Sequence, residues 1–374
     1  MTCTHLIALT TPALDGGIGR NILNLAGALC GMGYKVHLLI DKPKGPYLEQ
    51  LHPSVKVVPL PTSHPFTGTL AMGRYLWRHR PDAVLTPNVR HTALALNARR
   101  ITAPATRIYV NIHNTYSKTF QNLSPQKKAK RLKKINTLYP RCDGIIPVSQ
   151  GVAEDLCRFT NLSPALLTPI YNPVVSERLE RLAVEPVTHP WFRGDEPPII
   201  LSVSRLEKAK NLTLLIEAYE KVRKQLHCRL AIIGSGSQHA LLEAKVERSP
   251  YREEITLLGH QSNPYKYMKR SSLFVLSSLW EGFGNVLVEA MAVGTPVVST
   301  DCPHGPREIL ENGRLGPLVP VGDSEALANG IRQALLSPLP APTLKRSAER
   351  FRDTLITKRY LQLFGLSNER ENVA

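Results

Sequence analysis

Short apolar runs alternate with amphipathic stretches along most of the chain. Runs of the kind that form buried parallel strands occur at 5–9, 36–40, 83–85, 107–112 and 144–148. Segments 18–30 and 69–79 carry apolar residues at helical spacing. The alternation restarts after residue 195, with strand-like runs at 198–203, 229–233, 255–258, 273–276 and 296–299. Helical periodicity covers 212–224, 324–336 and 348–364 in this half. Strands that alternate with helices predict parallel sheets, because a parallel pair needs a crossover long enough to hold a helix. Two successive sets predict an α/β chain of two Rossmann-like domains facing a central cleft, with ligands at the carboxyl ends of the strands.

The length of 374 residues accommodates two such domains. Residues 184–198, VEPVTHPWFRGDEPP, hold four prolines and a glycine and read as a linker. The predicted division is therefore 1–183, a linker at 184–198, and 199–350. A C-terminal helix within 351–374 is expected to return to the first domain. No apolar run reaches the roughly 20 residues that span a bilayer, and the apolar stretch 6–9 is too short for the core of a signal peptide. The six cysteines, Cys3, Cys30, Cys142, Cys157, Cys228 and Cys302, are scattered without a C-x-x-C pair. That pattern points to reduced thiols in a cytoplasmic protein rather than a disulfide frame or a zinc site.

The chain carries a formal +17, which calls for an anionic partner: nucleic acid, an anionic membrane surface or a phosphorylated substrate. Residues 1–190 hold 23 basic and 10 acidic residues, a net of +13, against 24 and 20 in the remainder, a net of +4. The first half is thus the expected place for any large anion.

The first strand-like run leads into Asp15-Gly16-Gly17-Ile18-Gly19-Arg20, which opens a helix. Glycines let the backbone approach a ligand, and N–H groups at a helix start attract an anion. Dinucleotide binding is one reading, with Asp41 at the end of the second strand as the ribose acid. Against it, Ile22 stands where a third Gly or Ala belongs. A phosphate or sugar contact is the other reading, and a simple tight turn is a third.

In the second half, Ser204-Arg205-Leu206-Glu207-Lys208-Ala209-Lys210-Asn211 follows a strand and leads into a helix. Arg205 and Lys210 on that turn can neutralise a diphosphate without a metal. The string Trp280-Glu281-Gly282-Phe283-Gly284-Asn285-Val286-Leu287-Val288-Glu289-Ala290 follows another strand. Its glycines precede a helix, an arrangement that binds anions. Its two glutamates can accept hydrogen bonds from a polyhydroxylated ligand.

These strings resemble glycosyltransferase family 4, retaining nucleotide-sugar enzymes of GT-B fold. The resemblance covers GGIGR, SRLEKAKN and EGFGNVLVEAMAVGTPVVSTD, whose two glutamates match the family's E-x7-E motif, and so nearly the whole chain. DCPHGPREIL is similar to a subgroup acting on bacterial surface polysaccharides and lipid-linked oligosaccharides. The resemblance implies that Arg205 and Lys210 bind the donor diphosphate and steady the leaving group, and that Glu281 sits by the donor sugar. It implies that Phe283, Gly284, Asn285 and Val286 present backbone N–H groups to sugar and phosphate. Glu289 would hold the nucleotide ribose, Gly16 and Gly17 would lie beside the diphosphate, and Gly234 would belong to a nucleotide-side loop, although Ser235 stands where the family often has an acid. His113, at the end of a strand, would contact the transferred sugar. Arg20 matches nothing diagnostic of the family, and its reading as a contact to an acceptor phosphate does not come from the resemblance. A retaining same-face attack is implied, with a nucleotide-diphosphate sugar as donor, of the UDP type by likeness to the subgroup, and no cofactor. No Asp-x-Asp triplet occurs in the chain, so no metal is expected.

Residues 124–135, SPQKKAKRLKKI, read as a capped helix with Ser124 as N-cap and Pro125 in the first turn. Lys127, Lys130, Arg131 and Lys134 form one cationic face, flanked by Leu132, Ile135 and Tyr139. That face predicts contact with anionic lipid headgroups or with a polyprenyl-diphosphate-linked or saccharide acceptor, and a peripheral position at the inner face of the cytoplasmic membrane. Two other classes remain: a dinucleotide-dependent oxidoreductase, and a basic nucleic-acid-binding protein. The latter lacks a binding motif and interleaved aromatics, which total only 6%, so no nucleic-acid partner is expected.

Overall fold

The computed structural model describes residues 5–45, 47–61, 64–121, 123–194 and 197–367. The chain folds as two compact units. One contains the chain up to Pro173 together with the segment from Asp353, and the other Val174–Arg352.

The first unit is built on a six-stranded parallel sheet: β1 Leu6–Thr11, β2 Lys35–Ile40, β3 Lys56–Pro59, β4 Ala83–Thr86, β5 Arg107–Ile112 and β6 Gly144–Pro147. Their order across the sheet is β3-β2-β1-β4-β5-β6. The second unit repeats the plan with β7 Ile199–Val203, β8 Arg229–Ile233, β9 Ile255–Leu257, β10 Leu273–Leu276, β11 Val297–Thr300 and β12 Leu318–Val319, in the order β12-β11-β10-β7-β8-β9. Each sheet reverses its winding once, between β1 and β4 and between β7 and β10. In open α/β sheets this switch point is where the loops part and leave a crevice for ligands. Two Rossmann-like α/β units are what the alternating pattern predicts.

The central strands are uniformly apolar because helices cover both of their faces. On one face of the first sheet, the helix Gly16–Gly31 packs Ile22, Leu25, Ala26 and Leu29 into a core with Ile7, Leu9, Leu38 and Ile40. Ile356, Tyr360, Leu361 and Phe364 of the terminal helix Asp353–Phe364 join the same core. The other face is covered by the helices Pro65–His79 and Val89–Thr102, with Met72, Leu76, Leu94 and Ala98 at its centre.

The structure departs from the pattern at several points, and helices such as Val89–Thr102, Gln150–Phe159 and His239–Glu247 add to those expected. Strands β3 and β12 escape the periodicity, because four and two residues at sheet edges leave too little alternation to detect. The helix predicted over 69–79 begins four residues earlier at Pro65, where the His64 ring accepts the Phe66 N–H at 3.3 Å in place of a usual capping oxygen. The predicted continuous helix 348–364 is broken at Arg352, which is extended (φ −62°, ψ 134°). Its guanidinium is held by Glu180 at 2.7 Å and by Glu349, and Phe351 O accepts both Val174 N–H and Val175 N–H. This junction carries the chain out of the second unit.

The proline-rich segment belongs to the second unit, which the chain enters at Val174. There Asn263 Nδ2 donates to Leu182 O and to the Glu185 carboxylate, both at 2.8 Å, and Phe192 packs edge-on against Tyr267. Asp195, Glu196, Cys3 and residues 368–374 lie outside the described residues. The five described cysteines are free thiols. No described helix is long and apolar enough to cross a membrane.

Candidate functional site

In the second unit the loops leaving β7 and β10 meet at the switch point. Lys210, on the single 3-10 turn Lys208–Lys210 after β7, directs Nζ to Glu281 Oε1 at 2.6 Å. The same oxygen accepts the Ser278 hydroxyl, also at 2.6 Å. The lysine and glutamate side chains are 18% and 11% exposed, so the pair is sheltered yet reachable. Backbone contacts fix the two loops together. Leu279 N–H donates to Ala209 O at 2.8 Å, and the Ser277 hydroxyl donates to Lys210 O at 2.8 Å. Glu281 is clamped from a third loop as well: its N–H donates to Pro303 O at 2.7 Å, and its carbonyl accepts the His304 N–H at 3.1 Å.

Arg205 lies exposed on the same turn as Lys210. Between them, Glu207 accepts the Ser237 hydroxyl at 2.7 Å and the Ser237 N–H at 3.3 Å. These bonds hold its carboxyl below the usual range and tie the β7 turn to the loop after β8. Gly234 starts that loop at φ +149°, and a Cβ there would fall 1.8 Å from Ser204 O. The fold therefore requires this glycine whether or not a ligand is bound.

Beyond Glu281, Gly284 adopts φ +100° and begins the helix Asn285–Ala292. Phe283 is buried with its ring edge-on to Phe351, 5.5 Å between centroids, so only its backbone can serve a ligand. Asn285 and Val286 are partly exposed in the first turn. Glu289 lies one turn further and is 4% exposed, with Tyr265 Oη donating to it at 3.4 Å. A carboxylate so far out of water needs donors, and ligand hydroxyls are suitable ones. Cys302 is buried near Glu281, and burial pushes its thiol up to about 12, so it is no nucleophile.

In the first unit, Gly16 (φ +54°) and Gly17 are exposed at the start of Gly16–Gly31, just past β1. Gly19, one turn on, is packed so closely that a Cβ would meet Leu14 C at 2.8 Å. Arg20 donates to Tyr47 Oη at 2.8 Å and lies over that ring. His113 follows β5, where burial lowers its imidazole to about 4, so it is neutral at physiological pH. Asp41, the candidate ribose acid of a dinucleotide site, is instead engaged by His91 Nε2 at 2.9 Å. Lys127, Lys130, Arg131 and Lys134 stand exposed on the helix Pro125–Leu138, on the outer surface of this unit. Ser124 caps that helix, and Ile135 and Tyr139 are fully buried.

Ser278 and Tyr265 are the site residues that sequence reasoning missed. Ser278 stands three positions before Glu281, where an apolar strand end hides it. Tyr265 is 24 positions from Glu289 and has no signal in the sequence. Among the described residues, no three His, Cys, Asp or Glu side chains are grouped to hold a metal ion.

Comparison with known proteins adds to this geometry. Residues 15–178 match the model described as Glycosyltransferase Family 4, and residues 189–353 the model described as Glycosyl transferases group 1. Over 201 residues the chain is 36% identical to the N-acetylgalactosamine-N,N'-diacetylbacillosaminyl-diphospho-undecaprenol 4-alpha-N-acetylgalactosaminyltransferase of Campylobacter jejuni. That match covers 54% of this chain and 53% of the relative, so the chain spans about half of that protein's length. The lipopolysaccharide 1,6-galactosyltransferase of Salmonella typhimurium is 26% identical over 58% of this chain and 59% of its own. In fold, a glycosyltransferase from Rickettsia africae superposes with a TM-score of 0.77 at 19% identity, over 97% of this chain and 98% of that one. Anabaena HepE in complex with UDP-glucose gives 0.77 at 20% identity, over 96% and 99%.

Proposed function

The chain belongs to glycosyltransferase family 4, and from that premise we propose that it is a retaining transferase. It moves a sugar from a nucleotide-diphosphate sugar, of the UDP class, to a lipid-linked or saccharide acceptor in the assembly of a bacterial surface glycan. The observation that carries this reading is the sheltered Lys210–Glu281 pair, 2.6 Å apart, at the switch point of the second sheet. The UDP-glucose held by a protein of the same fold and the undecaprenyl-diphosphate-linked acceptor in a relative's name support the choice of substrates.

In this reading the donor diphosphate lies against Arg205 and Lys210, whose fixed charges stabilise the leaving group. Backbone N–H groups from Gly284 to Val286 meet its oxygens at the helix start. Glu289 takes the ribose hydroxyls. Glu281 accepts from a hydroxyl of the donor sugar and, through Lys210, holds the ammonium in place. The bond between the anomeric carbon and the diphosphate oxygen breaks, and the acceptor oxygen attacks the same face. The acceptor proton passes to the departing diphosphate, so no enzyme nucleophile is needed. In the first unit, the neutral His113 imidazole is suited to a sugar hydroxyl, and the exposed backbone at Gly16 and Gly17 to a phosphate. Arg20 and the cationic face of Lys127, Lys130, Arg131 and Lys134 receive acceptor phosphates at an anionic membrane surface.

Thermal-shift and calorimetric titration against UDP, GDP, ADP and their sugars tests the donor assignment. Stabilisation by a nucleoside diphosphate and its sugar is expected. Tight stoichiometric binding of NAD(P)H, with no response to any nucleoside diphosphate, would overturn it.

A further inference from the structure

The basic excess of the first half has a narrower origin than its length. Residues 61–140 hold fourteen Lys and Arg and one acid, Asp82, a net of +13. The rest of 1–190 carries nine basic and nine acidic residues and is neutral. Three helices of more than one turn lie in this segment, Pro65–His79, Val89–Thr102 and Pro125–Leu138. The first two share the core that covers one face of the sheet, and Leu138 of the third packs against it. Gly68 and Gly73 let the first helix approach Leu94, Ala98 and Thr102 of the second. Not one of the three helices contains an acidic residue. Surface helices ordinarily mix both signs, so a three-helix layer of one sign is built for an anionic partner.

The outer side of this layer is also apolar. On Pro65–His79, Phe66, Leu70 and Trp77 are 67%, 58% and 65% exposed. At 100° per residue they fall within an arc of about 40°, with exposed Arg74 beside them and Arg78 further round. Ile101, at the end of the neighbouring helix, is 83% exposed next to exposed Arg100. A polyanion such as RNA would match the cations and leave these apolar side chains in water. A bilayer matches both, since aromatic and aliphatic side chains bury at the headgroup–acyl boundary while arginines contact phosphate.

We propose that the helix Pro65–His79 is a membrane-insertion element that seats Phe66, Leu70 and Trp77 in the interface of an anionic phospholipid bilayer, with Arg74, Arg78 and Arg100 on its headgroups. This goes beyond the electrostatic contact assigned to Lys127–Lys134 and rests on the membrane part of the proposed function. The two act together: charge brings the layer to the surface, and apolar burial holds it there.

Vesicles of phosphatidylcholine with and without phosphatidylglycerol, some carrying brominated acyl chains, test the proposal on the full chain. Trp77 fluorescence should be quenched by brominated chains in the anionic vesicles alone. Trp77→Phe should keep vesicle binding and lose that quenching. Joint replacement of Phe66, Leu70 and Trp77 by Ser, at positions exposed to solvent, should weaken vesicle binding about tenfold or more with donor-sugar hydrolysis unchanged. Three results would overturn the assignment. One is sedimentation with vesicles without Trp77 quenching. Another is a dimer of this chain that the triple replacement dissolves, and the third is retention of RNA above that of vesicles at equal salt. Loss of donor hydrolysis in the unaltered chain would instead count against the transferase reading, so the two failures are distinct.

Discussion

Lys210 Nζ and Glu281 Oε1 lie 2.6 Å apart although 71 positions separate them in the chain. The contact joins the turn after β7 to the loop after β10, the two strands that flank the switch point of the second sheet. Ser278 donates to the same carboxylate oxygen, so the glutamate keeps a partner if the lysine is removed. The two residues can therefore be tested separately.

Glu281→Ala and Lys210→Ala should each lower the transfer rate by about 100-fold or more, the scale of losing an electrostatic stabiliser of the transition state. Circular dichroism and the melting transition should remain those of a folded protein, with a stability loss of about 1–3 kcal/mol from the broken pair. Full activity in both variants would remove this pair from the donor site.

Gly234→Ala should destabilise the second unit by about 2–4 kcal/mol. Its Cβ would fall 1.8 Å from Ser204 O, at a φ of +149° that disfavours any side chain. Urea unfolding checks this. A variant as stable as the parent would mean that the β7 and β8 loops part with ease, and Gly234 would then be explained by a ligand alone.

His113 is held neutral by burial, its imidazole lowered to about 4 against roughly 6.5 in an unfolded chain. Between those values the unfolded state binds more protons, so the stabilisation is fully present above about pH 6.5. It falls toward pH 4 at about 1.4 kcal/mol per pH unit for one group. His37, lowered to about 4 by burial and by nearby His79 and Lys56, acts in the same direction. Unfolding free energies for His113→Gln should fall less steeply with acid than those of the parent. The transfer rate should show no inflection from His113 between pH 6 and 8. Identical pH slopes in the two proteins would contradict the assignment.

Replacing Lys127, Lys130, Arg131 and Lys134 together by Gln should weaken use of a lipid-linked acceptor and leave donor hydrolysis near its parental rate. The fold should be unaffected, because these side chains are exposed while Ile135 and Tyr139 anchor the helix from beneath. Equal losses in both assays would show that the helix supports the enzyme generally and has no acceptor role.

Much of this architecture is legible in sequence because a central parallel strand must be apolar on both faces while its crossover helix shows a single stripe. That contrast survives in β1, β5, β7 and β10 and fades in the edge strands β3 and β12, which are short and half solvated. Arg352 shows the other limit. The 348–364 pattern is helical on both sides of it, and the break arises from Glu180, Val174 and Val175, which stand more than 170 positions away in the chain. No local propensity encodes those contacts.

Strand–helix alternation and backbone-exposing glycines are local properties, so the two-sheet plan, the family and the strings that hold the candidate site can be read along the chain. Which side chains share a partner emerges with packing: Lys210 and Ser278 on Glu281, Tyr265 on Glu289, His91 on Asp41. Packing also sets eleven of the basic residues on three acid-free helices that lie side by side, where Phe66, Leu70 and Trp77 remain in water. Apolar residues at helical spacing look alike in sequence whether they enter the core or avoid it. The side that faces the sheet is settled only when the neighbouring helices have packed.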